Sequence, residues 1–210
     1  MKSLLTYYIK GIKHLQSILV IGSIGIFLMV LPLTLTLNPE MLPETIKTTL
    51  YFISYAAVSF VMAIRPLADI FPKFHYLRML VPLRKGFGIL SASIIVSFIL
   101  VKIITFGPEY LKDFLSAGYW NFSNYSFFAH LGDVTAVILL ITSNIFSKKL
   151  LGKNWKRIQK LAYVYFYAGG IYEVLEFSDI FAAYAMTIVS FLVILAFIIK
   201  LFKKKQYSLL

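Results

Sequence analysis

The chain is a ladder of apolar stretches, each close to twenty residues long, joined by short charged connections. A bilayer core about 30 Å thick takes roughly 20 residues of helix at 1.5 Å each. Six stretches reach or approach that length, at 14–37, 48–64, 86–106, 126–146, 161–175 and 180–199. The fifth is the shortest, so it is expected to tilt against its neighbours or run past the interface. Inside lipid a helix satisfies its own backbone polar groups, which an open strand does not. The pattern predicts an all-α integral membrane protein, a six-transmembrane-helix bundle.

The connections alternate in charge. Eighteen of the 21 basic residues fall in the N-terminal segment, the second and fourth connections and the tail, where Asp69 is the one acid. The other three connections hold seven of the nine acids, among them Glu44, Glu109, Glu173, Glu176 and Asp179. Lysine and arginine in short loops stay on the cytoplasmic side, so the expected orientation is N-in and C-in. The first apolar stretch is long and no small-x-small cleavage site follows it, so it reads as a retained helix rather than a cleaved leader. The expected location is a membrane, crossed several times.

Composition narrows the function. Only 14% of residues are charged, against roughly a quarter in soluble domains. The absence of cysteine excludes thiolate-zinc, iron–sulfur and dithiol redox centres within this chain. A net charge of +12 would suit nucleic acid. Every basic cluster abuts an apolar stretch, however, where it fixes topology and attracts anionic headgroups, and no nucleic-acid partner is expected. No Walker loop, nucleophile elbow, HExxH helix or paired catalytic carboxylates occur. No metal site is expected.

Punctuation supports the ladder. Asn38-Pro39-Glu40 and Met41-Leu42-Pro43-Glu44 read as an outer turn, and Gly107-Pro108-Glu109 as the stop of the third span. Tyr110, Tyr119, Trp120 and Phe122 suit an interfacial belt or a re-entrant half-helix. Asn121-Phe122-Ser123 and Asn124-Tyr125-Ser126 match glycosylation acceptors, of consequence only in a eukaryote. His130 and Asp133 lie three residues apart on one helical face inside the fourth span, a candidate site by their cost of burial. His14 reads as an interfacial side chain and His75 as a loop residue. Glu173 and Glu176 read as solvated span-end residues. The Gly169-Gly170 pair, after an aromatic run from Tyr163 to Tyr167, permits close helix approach or a planar ligand.

Three segments carry a resemblance. They are Ile64-Arg65-Pro66-Leu67, Leu83-Arg84-Lys85-Gly86-Phe87-Gly88-Ile89-Leu90, and Leu151-Gly152-Lys153-Asn154-Trp155-Lys156-Arg157-Ile158-Gln159-Lys160-Leu161-Ala162-Tyr163, with Tyr125 and Thr142-Ser143 fitting beside them. The chain from about 48 to 177 resembles the ferric-reductase-like transmembrane family, closest to its small bacterial MsrQ (YedZ) branch. The resemblance divides the chain into a first transmembrane helix and outer turn (1–47), a four-helix core (48–177), and a sixth helix with a basic tail (178–210). It implies electron transfer from a cytoplasmic flavin or quinone donor, through haem b, to a periplasmic molybdenum-containing reductase that repairs methionine sulfoxide. The alternative is a haem-free membrane anchor or docking subunit for a redox partner.

The family's haem ligands are histidines, which fall at Phe98, Gln159 and Tyr172, with a further one near Thr48. None is histidine here, so the ligands haem b requires are absent. FMN or a quinone is the remaining cofactor expectation. Arg84, Lys85, Lys153, Trp155 and Arg157 are candidates for a flavin phosphate or an acidic reductase surface, and Tyr172 for an unorthodox ligand.

Overall fold

The structure, a computed structural model, describes residues 2–36, 43–121 and 125–207. The turn at Asn38-Pro39-Glu40, Met41 and Leu42 lies outside the described residues, as do Phe122, Ser123 and Asn124 of the two acceptor sequences. Among the described residues the secondary structure is helical throughout. In chain order it comprises α1 (Lys2–Thr36), α2 (Glu44–Ile70), α3 (His75–Leu80), α4 (Leu83–Leu115), α5 (Ser126–Thr142), α6 (Ile145–Leu151), a 3₁₀ turn (Gly152–Asn154), α7 (Trp155–Ile158), α8 (Leu161–Phe177) and α9 (Ile180–Tyr207).

Four helices are long and apolar enough to cross a membrane: α1 over Thr6–Val30, α2, α4, and α9 over Ile180–Phe202. Counting α5 together with the segment Ile145–Ile158, from which it is bent by 94°, makes five. These are the helices of a multi-pass membrane protein. The apolar run of the fourth stretch continues through Ile145 and Phe146, yet the helix ends at Thr142. Asn144 is the reason. Its side chain accepts a hydrogen bond from the Ser147 N–H at 2.7 Å and caps a new helix in a new direction, and capping outweighs hydropathy there. Helices α5 and α8 have 17 residues each, about 26 Å at 1.5 Å per residue.

The third stretch breaks where its stop is expected, and a second helical segment follows. Gly107 takes φ 53° and ψ −132°, a conformation open to glycine, and breaks the helix. Pro108 then opens a further short turn, with its fixed φ suited to a first helical position. The connection after the third stretch thus begins as helix (108–115) after a kink.

Helices α2, α4, α5 and α8 pack around a core that includes Val58, Met62, Ala92, Ala136 and Phe166. Helix α1 lies on α4, burying Val30 with Leu50, Ala57, Leu90 and Ile94, and α9 lies on α2 and α8. The outward faces of these flanking helices are apolar: Ile18, Ile21 and Leu28 on α1, and Ile188, Phe191, Ile194 and Phe197 on α9 are all exposed. A surface of that kind is suited to lipid.

Two glycines set the helix spacing. A Cβ on Gly132 of α5 would meet the Gly169 backbone nitrogen of α8 at 3.7 Å, so these helices touch through their glycines. A Cβ on Gly170 would run into the Tyr55 hydroxyl of α2 and approach Met186 Sδ of α9 to 2.7 Å. Of the Gly169-Gly170 pair, Gly170 is the one whose missing side chain permits close approach, to α2 and α9. Tyr8 of α1 meets Tyr76 of α3 at one end, with ring centroids 5.3 Å apart, and Phe52 of α2 meets Phe181 of α9 at the other, 4.8 Å apart. The start of α1, the end of α2 and the start of α4 thus share an end with the α5–α8 connection. The starts of α2 and α9 lie at the opposite end.

Candidate functional site

The three segments that carry the resemblance are far apart in sequence, and the fold brings them to one place. Arg65 from the first, Arg84, Lys85 and Gly88 from the second, and Trp155, Gln159 and Tyr163 from the third all line a single cavity of about 640 Å³. That volume is in the range of cofactor and ligand sites. Its inner wall is apolar, made by Val58 and Val61 of α2, Ala92 of α4, Leu139 of α5 and Ala162 of α8. Its rim carries six cations, Arg65, Arg84, Lys85, Lys148, Lys156 and Lys160, and no acid among the described lining residues.

Local structure explains how the rim is held. The Trp155 indole N–H donates to the Thr142 carbonyl at 2.9 Å, satisfying an otherwise open carbonyl at the end of α5. Lys148 Nζ lies 5.3 Å from the centre of the same ring, a cation–π arrangement. The Gln159 amide donates to Thr142 Oγ1 at 3.2 Å, and that hydroxyl donates to the Ile138 carbonyl at 2.7 Å. Thr142 and the Trp155 and Gln159 of the third segment are therefore one hydrogen-bonded unit. The Arg84 Nε is buried and has no hydrogen-bond partner among the described residues.

Beneath the cavity lies a polar node that the sequence reading missed. Ser54 of α2, Ser91 of α4 and Tyr165 of α8 are buried together. Their hydroxyls are 3.1 Å (Ser54–Ser91), 3.2 Å (Ser54–Tyr165) and 2.8 Å (Ser91–Tyr165) apart, and Ser54 also contacts the Ser91 carbonyl at 3.2 Å. Interhelical hydrogen bonds in membrane bundles contribute about 0.6 kcal/mol on average and at most about 1.7 kcal/mol. Tyr165→Phe should therefore lower stability by about 1 kcal/mol, read from detergent-denaturant unfolding, since the two serines still pair with each other. Two serines in the middle of apolar stretches were the available signal. Tyr165 and Val58 line the cavity on one side and, on the other, a small space of about 40 Å³ bounded by Tyr51, Tyr55, Gly169 and Glu173.

The remaining candidates are dispersed. Arg157 and Lys153 are exposed and lie outside the cavity lining. Phe98 stacks on Tyr51, with centroids 4.8 Å apart and planes within 11°. Tyr172 packs edge-on to Phe177 at 5.7 Å, toward the far end of α8. Thr48 is exposed near the start of α2, its hydroxyl donating to the Glu44 carbonyl at 2.9 Å. None of these positions offers an imidazole, and Gln159 is engaged with Thr142, so the residues present do not fit a bis-imidazole haem. Among the described residues no group of three or more His, Asp or Glu gathers to hold a metal.

His130 and Asp133 do share a helix, but no hydrogen bond or ion pair joins them. The His130 ring lies flat against Tyr119, centroids 3.5 Å apart, and edge-on to Trp120 at 6.2 Å, with its buried Nδ1 unpartnered among the described residues. Lys102 is within electrostatic reach of both. Tyr119, Tyr110 and Trp120 fold over the start of α5 as an aromatic cap, and burial with the Tyr110 contact holds the Tyr119 phenol above its ordinary range. His14 is exposed on α1, and His75 opens α3 with Nδ1 3.2 Å from the Lys73 carbonyl. Glu173 is half-buried beside the small space, whereas Glu176 is exposed.

Comparison with known protein families, characterised proteins and solved structures finds no match for this chain.

Proposed function

We propose that this chain is the membrane-integral subunit of an electron-transfer system of the ferric-reductase-like kind, resembling MsrQ. It takes electrons from a cytoplasmic flavin or quinone donor and passes them toward a periplasmic molybdenum-containing reductase. The observation that supports this reading is the convergence of all three resembling segments on one cavity. The reading carries a topology of six spans, N-in and C-in in a bacterial inner membrane, with α5 and α8 as short spans and the cavity on the cytoplasmic side. The clustering of Arg65, Lys85, Lys148 and Lys160 at one end supports that orientation.

Haem has no step here, because its ligand positions are filled by residues that do not fit it. A flavin or quinone supplies one- and two-electron chemistry when bound. The apolar wall of Val58, Val61 and Ala92 suits a planar ring, and the cationic rim suits a phosphate or an electron-rich reduced ring. Purified protein in detergent is expected to show no Soret band, to release flavin fluorescence on denaturation, and to be reduced by NADH with a flavin reductase. A Soret band would overturn the ligand argument. Absence of any chromophore, together with co-purification of a redox partner, would favour the second reading, a haem-free anchor or docking subunit. That reading draws on the same absorption of Phe98 and Gln159 into packing.

A further inference from the structure

Positive-inside topology accounts for basic loops, but not for six cations from five chain segments meeting around one apolar-walled space. Arg65 comes from the end of α2, Arg84 and Lys85 from the start of α4, Lys148 from α6, Lys156 from α7, and Lys160 from the turn before α8. Arg65 lies within electrostatic reach of Arg84, so like charges face each other. Asp69, one helical turn beyond Arg65, does not line the cavity. Arg84 Nε is buried with its hydrogen-bonding capacity unspent. A buried guanidinium donor without an acceptor is costly, and an anion of the right reach relieves both the donor and the repulsion. Immediately behind the cations the walls are Val58, Val61, Leu139 and Ala162, which no fully hydrated anion would contact.

We propose that the cavity seats a phosphate-bearing amphiphile. Its phosphate lies between Arg84 and the facing cations, with Arg84 as the principal contact, and its apolar body lies against the Val58–Leu139 wall. Basic pockets between membrane helices recognise lipid head groups by this chemistry. Two molecules share it, an anionic phospholipid of the inner leaflet and a phosphate ester with an apolar ring such as FMN. The proposal uses the cavity of the electron-transfer reading but does not need electron transfer. Binding is measured with no donor or acceptor present, so the two fail separately.

Trp155 lines the cavity, and Trp120 is the only other tryptophan. The full chain carrying Trp120→Phe therefore reports on the site through Trp155 fluorescence. Titration with phosphatidylglycerol in neutral detergent is expected to give a saturable change that phosphatidylcholine does not. Arg84→Gln should weaken binding at least tenfold and Arg65→Gln several-fold, whereas Lys153→Gln, at the same end but outside the cavity, should leave it unchanged. Arg84→Lys should fall between, having charge without the fork. Should Arg84→Gln fail to fold, Arg65→Gln and Arg84→Lys carry the comparison. FMN competing at similar concentration identifies the soluble ester as the source, and FMN failing to compete identifies the lipid. Inorganic phosphate is expected to compete only at far higher concentration, because it lacks the apolar body. Equal responses to phosphatidylglycerol and phosphatidylcholine, or equal losses in Arg84→Gln and Lys153→Gln, would overturn the proposal as general surface electrostatics.

Discussion

Gly170→Val is expected to destabilise the bundle by about 3 kcal/mol or more, at the upper end of the cost of overpacking. The added atoms enter the place of the Tyr55 hydroxyl and of Met186. Methionine adapts by rotation. Tyr55 does not, because its ring is stacked on Phe166 with centroids 5.5 Å apart and held edge-on by Phe181 at 6.3 Å. Gly169→Ala supplies the control: nothing lies within 4 Å of the Cβ it would add, so stability should change little. The Tyr55 hydroxyl is buried without a hydrogen-bond partner among the described residues. Tyr55→Phe should accordingly be neutral or stabilising alone and should restore much of the loss in Gly170→Ala. Thermal unfolding in detergent, followed by circular dichroism, reads all five variants, and an undiminished loss in the double variant would refute the contact.

The second large effect is expected at Trp155. Trp155→Ala removes a half-buried ring, a hydrogen bond to the Thr142 carbonyl and the seat of Lys148. Full burial of a tryptophan would put the cost at about 3–5 kcal/mol. At partial burial about 2 kcal/mol is expected. Trp155→Phe keeps most of the packing and loses the N–H, so it should cost about 1 kcal/mol, the worth of one hydrogen bond. The same unfolding measurement separates the two, and equal losses would show that the hydrogen bond rather than the ring holds α7 against α5.

What was legible in the sequence was whatever a single segment declares by itself. Long apolar runs became α1, α2, α4 and α9, and the Gly107-Pro108 break stands where its residues demand it. The fourth stretch was overrun because hydropathy does not register that one asparagine side chain closes onto Ser147 and redirects the chain. Arg84, Lys85, Lys153, Trp155 and Arg157 are expected at one end of the bundle; Arg84, Lys85 and Trp155 do line one cavity, whereas Lys153 and Arg157 lie outside it. Which member of a basic run faces inward depends on how α6, the 3₁₀ turn and α7 fold over the bundle end, and no periodicity encodes that. Lys148, Lys156 and Lys160 enter the rim for the same reason. The Ser54–Ser91–Tyr165 node depends on three helices meeting, and serine in an apolar run reads alone as tolerated.

The cations of the cavity rim are gathered at one pole of the molecule, while Glu44, Glu173 and Asp179 act on Tyr51 and Tyr55 at the other. With the basic pole on the negative side of an energised membrane, as proposed, each elementary charge carried across 100 mV costs about 2.3 kcal/mol. Somersaulting the protein would drag the six rim cations against that voltage, about 14 kcal/mol for them alone, and the opposite pole would add to the toll. In the proposed orientation the membrane potential thus opposes inversion of the molecule after insertion.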